Sequence, residues 1–177
     1  HNVIHRDLNP SHIFIDEFFY PKIGDFGQSK LTEYLNDDMN TQSTPGFKCA
    51  LLYSAPEVLR DSEYSKSSDV YSFAFVLYEI ITSTIPFISA IESGMRPEIN
   101  DDVPKAYREL IEGCWSQIPE DRPTFEEIVD DLRNNPGYIT DEIDESEFLD
   151  YIDYIDQYQS SFDTSKMIKY EDFIKPY

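Results

Sequence analysis

The sequence predicts a mainly α domain: a small β-hairpin near its start, then a helical bundle gathered around one buried central helix. Three observations carry this. Residues 69–82 read Asp-Val-Tyr-Ser-Phe-Ala-Phe-Val-Leu-Tyr-Glu-Ile-Ile-Thr, apolar on nearly every face, and such a helix is buried all round. Two short apolar runs, residues 13–15 and 22–24, flank a turn at residues 17–21, the pattern of a hairpin. Further on, Leu110, Ile111, Cys114 and Trp115 fall on one helical face. Thr124 with Glu127 then forms a capping box ahead of Ile128, Val129 and Leu132, so a last bundle helix starts at Thr124. A short helix start is also expected over residues 56–60.

The 177 residues give room for one domain with a real core and a tail. An apolar fraction of 40% and an aromatic fraction of 15% exclude a wholly disordered chain. The net charge of −21 argues against nucleic acid or an anionic membrane as partner, because both demand clustered Lys and Arg. No apolar run approaches the roughly 18 residues of a membrane span, and no signal peptide is visible. Cys49 and Cys114 are too few and too far apart for a disulfide framework or a zinc site. They fit a reducing interior, so an intracellular, cytoplasmic setting is expected.

The candidate chemistry lies in two acidic triplets, His5-Arg6-Asp7 and Asp25-Phe26-Gly27, joined through the hairpin. A hairpin flanked this way brings Asp7 and Asp25 to the same end. One carboxylate can then hold Mg²⁺, a hard cation that wants oxygen ligands, while the other orients an attacking hydroxyl and accepts its proton.

The run from His5 to His12 resembles the catalytic loop of the eukaryotic protein kinases, H-R-D-L-x-x-x-N, and residues 25–27 resemble their D-F-G metal loop. The likeness continues in order through Ala55-Pro56-Glu57, the segment opening at Asp69-Val70-Tyr71, Cys114-Trp115 and Asp121-Arg122-Pro123. It covers about residues 3–134. Gly94-Met95-Arg96-Pro97 and Cys114-Trp115 lean towards the tyrosine-kinase-like group of serine/threonine kinases.

The resemblance implies a kinase C-terminal lobe over residues 1–134 with its N-terminal lobe absent, and no G-x-G-x-x-G occurs in the sequence. It implies ATP and Mg²⁺ as cofactors of a longer parent, with Asp7 catalytic and Asp25 on the metal. Its partners would be a protein substrate or signalling protein and its own N-terminal lobe. Asp69 would hydrogen-bond the catalytic-loop backbone, or simply cap its helix. Glu57 and Arg122 would form an ion pair. Arg6 would pair with a phosphate added in the activation segment, residues 28–54, where Thr41, Ser43 and Thr44 offer hydroxyls.

Three positions depart from the family pattern. His12 replaces the loop asparagine that binds a second metal, and a neutral imidazole is a poor Mg²⁺ ligand. Asn9 replaces the lysine that contacts the transferring phosphate. Cys49-Ala50 replaces a Gly-Thr pair. Two functions therefore stay open: a protein serine/threonine kinase, or a pseudokinase that recruits partners with little chemistry. Residues 135–177 form an acidic tail. Between 141 and 156 all eight charged residues are acidic, consistent with a solvated disordered tail or with an acidic amphipathic helix that docks.

Overall fold

The computed structural model describes residues 3–17, 20–31, 52–86, 95–141 and 143–161. The chain divides into two compact units, His1–Tyr138 and Ile139–Tyr177.

The first unit opens with two antiparallel strand pairs. Strand β1 (Val3–Ile4) pairs with β4 (Lys30–Leu31), and β2 (Ile13–Ile15) pairs with β3 (Pro21–Ile23). The second pair is the expected hairpin, in register Ile13↔Ile23, Phe14↔Lys22 and Ile15↔Pro21. Its second strand begins at Pro21, one residue earlier than expected, and Asp16 N–H donates to Tyr20 O at 3.0 Å. At the open end, Gly24 N–H donates to His12 O at 2.9 Å, which brings the two acidic loops side by side.

Helix α1 spans Pro56–Asp61, with Pro56 at the first turn where no amide hydrogen is needed. The central helix, α2, spans Lys66–Thr82. It begins earlier than the sequence indicated, because Ser65 is its cap. Ser65 Oγ accepts from Ser68 N at 3.1 Å and Ser68 Oγ accepts from Ser65 N at 3.0 Å, a capping box with serine in the place usually held by Glu or Gln. Asp69 thus lies inside the first turn, free for another task. The helix is buried from Ser68 to Tyr78 except for the half-buried Phe73, but its last turn emerges: Ile80 is 67% exposed.

Helix α3 (Lys105–Cys114) turns Leu110, Ile111 and Cys114 inward, and Trp115 follows them into the core. Trp115 packs on Phe75 and Tyr78 of α2, with ring centroids 5.4 and 6.0 Å apart. Each such aromatic removes enough apolar surface to stabilise the fold by about 1.5–3 kcal/mol. Helix α4 (Phe125–Asn134) starts behind Thr124 as expected, with Glu127 N–H donating to Thr124 Oγ1 at 3.2 Å. Ile128 is buried, whereas Val129 points outward and is about half exposed, a residue one position off the inward stripe. Beyond it, the turn Pro136–Tyr138 returns Tyr138 to the core, where its ring meets Tyr107 edge-on at 5.0 Å.

Tyr71 sits at the centre. It is fully buried, and the guanidinium carbons of Arg96 and Arg122 lie 5.1 and 4.9 Å from its ring centroid. Burial pushes its hydroxyl up to about 12. Arg96 reaches Trp115 O through Nε at 3.0 Å and Nη2 at 2.8 Å.

In the second unit, helix α5 spans Glu145–Ser161. Asp144 Oδ1 opens it, accepting from Ser146 N at 2.8 Å and Glu147 N at 3.2 Å. Phe148, Tyr151, Ile152 and Ile155 make a half-buried face, while Asp150, Asp153 and Asp156 are exposed. The acidic stretch between 145 and 161 is thus helical. No helix among the described residues is long and apolar enough to cross a membrane.

Candidate active site

The catalytic-loop segment is fixed from below by Asp69. Its Oδ2 accepts from His5 N at 2.6 Å and its Oδ1 from Arg6 N at 2.9 Å. Burial pushes the Asp69 carboxyl above the ordinary carboxylate range, and the two amide hydrogen bonds pull against that shift. A side chain from the most buried helix thus sets the height of the loop that carries Asp7. His5 adds a second tether, its Nε2 lying 2.9 Å from Gly24 O, so that this nitrogen carries the hydrogen. Leu8 anchors the loop in the apolar interior.

Arg6 has φ 70°, a left-handed conformation that a non-glycine residue keeps only when its surroundings hold it there. The two bonds to Asp69 on either side of this peptide do that. The Arg6 guanidinium carbon lies 4.2 Å from the Tyr64 ring centroid, a cation–π contact. A narrow cleft beside it is lined by Asp7, Tyr53, Ser54, Tyr64 and Ser72.

Asp7 and Asp25 converge on one imidazole. His12 Nδ1 is 2.7 Å from the Asp7 carbonyl oxygen and 3.7 Å from its carboxylate, and Nε2 is 3.2 Å from Asp25 Oδ2. Both ring nitrogens therefore face acceptor oxygens. The Asp7 side chain is 29% exposed and that of Asp25 58%, while His12 is 16% exposed. Two reachable carboxylates thus flank a histidine that is largely covered.

Asn9 is buried and serves the loop's own geometry. Its Oδ1 accepts from Ser11 N at 3.0 Å, capping the turn Pro10–His12. Its Nδ2 donates to Asp7 O at 3.0 Å and lies 3.3 Å from Asp7 Oδ1. It offers hydrogen bonds to Asp7 but no positive charge. Asp25 also has a left-handed backbone, φ 55°, and begins the turn Phe26–Gln28. The Phe26 ring is 5.0 Å from that of His5. Gly27 leaves space next to the carboxylate, since a Cβ there would come within 3.3 Å of Asp25 Oδ1.

That space decides how a metal fits. Among the described residues no cluster of three or more His, Cys, Asp or Glu side chains could cage a cation. Mg²⁺ in phosphoryl-transfer sites does not need one, because one or two carboxylates hold it together with waters and substrate phosphates. Asp25, exposed and uncrowded at Oδ1, fits that role. His12 as nitrogen donor does not improve the fit, and its Nε2 already engages the other oxygen.

Remote from the loop, Arg122 Nη1 donates to Glu57 Oε1 at 2.6 Å and Nη2 to Oε2 at 2.9 Å. Arg122 also donates to Ser116 O through Nε at 2.9 Å and to Ser67 O through Nη1 at 3.0 Å. The pair joins α1 to the turn before α4 and to the start of α2. Thr41, Ser43, Thr44, Cys49, Ala50 and Gly94 lie outside the described residues, as does most of the activation segment.

A family model described as protein tyrosine and serine/threonine kinase matches residues 1–132. The chain belongs to the protein kinase family. A probable serine/threonine-protein kinase of Dictyostelium discoideum is 37% identical over 140 residues, 74% of this chain and 10% of that one. The dual specificity protein kinase shkC of the same organism is 35% identical over 184 residues, 97% of this chain and 34% of its own length. A putative serine/threonine-protein kinase/receptor of Acanthamoeba polyphaga mimivirus is 35% identical over 150 residues, 80% of this chain and 9% of that one. The chain thus spans about a third or less of the length of these relatives.

Sequence reasoning about this chain missed three contributors. Ser65 was hidden by its unusual capping partner, and Arg96 was visible only as part of a family phrase. Tyr64 was hidden because nothing in the order of residues shows which ring a guanidinium will stack on.

Proposed function

We propose that the chain supplies the catalytic and metal loops of a kinase that transfers the γ-phosphoryl group of ATP to a serine or threonine hydroxyl of a protein. The observation that carries this is the convergence of Asp7 and Asp25, with the loop held by Asp69. Asp7 accepts a hydrogen bond from the substrate hydroxyl, orients it and takes its proton as the oxygen attacks. Asp25 would hold Mg²⁺. When bound, Mg-ATP would supply the phosphoryl group and neutralise its charge. Residues 1–134 are read as the kinase-lobe portion and 135–177 as a tail. Cysteine usage supports a cytoplasmic setting, and Arg96-Pro97 with Cys114-Trp115 supports the tyrosine-kinase-like group.

A second reading, a pseudokinase scaffold, is favoured by His12 engaging Asp25 and by the missing charge at Asn9. Electrostatic stabilisation is usually the largest catalytic term, and one lost group commonly costs about 3 kcal/mol, roughly a hundredfold in rate. The two readings separate in a γ-phosphate transfer assay on the full-length protein, run with Mg²⁺ and again with Mn²⁺, which accepts nitrogen ligands more readily. The kinase reading expects activity that Asp7→Asn abolishes and that His12→Asn with Asn9→Lys raises. Wild type and Asp7→Asn equally silent under both metals would leave the scaffold.

A further inference from the structure

The first unit carries a second concavity, of about 370 Å³, between α3 and α4. Ala106, Leu110 and Gly113 recur on one face of α3 and form its floor with Ile128 of α4. Ala106 and Gly113 are small and stand two helical turns apart, so the floor is low over a length of about 10 Å. The position has room: a Cβ at Gly113 would meet nothing nearer than Pro123 Cδ at 4.0 Å.

Every charged residue lining the groove is acidic: Glu109, Glu127 and Asp131. Glu127 keeps its charge, because the amide and hydroxyl of Thr124 hold its carboxyl below the usual range. Asp131 is fixed in place, accepting from the Tyr138 hydroxyl and from Asn135 Nδ2 at 3.2 Å. Glu109 meets Lys105 at 3.2 Å, but both side chains are largely exposed, and such a pair is weakly held.

We propose that this groove docks a basic, amphipathic helical segment of a protein partner. An apolar floor between two helices, about two turns long, accepts the apolar face of a third helix. The three carboxylates then meet Lys or Arg on its flanks, and the long-range field of a chain with net charge −21 draws the same partner in. An uncharged helix or an acyl chain would bury the floor but leave the carboxylates unanswered. The site is independent of the catalytic loop, so it serves a kinase and a scaffold alike.

The test is fluorescence anisotropy of the full chain with a labelled peptide that repeats Leu at helical i, i+3, i+4 spacing with Lys between. The controls are its Glu-for-Lys counterpart and a scrambled sequence of the same composition, with spermine as competitor. The Lys-Leu peptide is expected to bind saturably and to weaken as salt rises. Glu109→Lys and Gly113→Leu are each expected to weaken it by about tenfold or more. Gly113→Leu fills the floor from the last turn of α3, where a Cβ has room, and an unchanged melting temperature checks that the fold is kept. Absence of saturable binding overturns the proposal. So does equal binding of the scrambled peptide, full displacement by spermine, or wild-type affinity in a folded Gly113→Leu, each of which reduces the groove to unspecific negative charge.

Discussion

Arg122 ties together several elements of the first unit. Its side chain is 0% exposed and that of Glu57 9%, and it donates a bidentate pair of hydrogen bonds to the Glu57 carboxylate. Removing either partner strands a buried charge, a change that typically costs about 3–5 kcal/mol, against roughly 0–1 for an exposed pair. A double-mutant cycle with Glu57→Gln and Arg122→Met, read by denaturant unfolding, is expected to show a coupling energy well above the exposed range. A coupling near zero would mean that the remaining bonds of Arg122 to Ser67 and Ser116 hold it without Glu57. This pair was legible in the sequence because both members are charged and sit in recognisable motifs, and the same is true of Asp69 and the two loop aspartates. What His12 does was legible only as a poor Mg²⁺ ligand. That it stands between Asp7 and Asp25, touching both, depends on the register of the hairpin, which residue types alone do not report.

At the level of elements, helix interiors were easier to read than helix ends. The apolar run of α2 identified that helix, but its true start lies at a serine-serine box that competes with many similar serine clusters for attention. Ser65→Ala removes the acceptor for Ser68 N–H and is expected to cost about 1 kcal/mol, the usual value for a lost cap. In a chain of this size that lowers the melting temperature by about 2–4 °C in a calorimetric scan, and an unchanged value would show that Ser68 Oγ caps the helix unaided. The acidic tail shows the opposite difficulty. Its like charges argued against a helix, yet α5 forms because Phe148, Tyr151, Ile152 and Ile155 share a face that is half removed from water, while the aspartates point away from it.

For the whole molecule, charge is the dominant global quantity. With 35 acidic and 14 basic side chains the chain repels itself, and compaction brings those charges closer. Salt screens this over a Debye length of about 10 Å at 0.1 M. The melting temperature is therefore expected to rise on adding sodium chloride from low ionic strength, and a flat response would mean that local ion pairs already balance the field. One arrangement resists that repulsion from inside. Tyr71, on the central helix, is flanked by Arg96 and Arg122, which arrive from two separate stretches of chain and are themselves bonded to Trp115, Ser116 and Glu57. The ring is thus a common anchor: two stretches far apart in the chain are fastened to the same turn of the central helix.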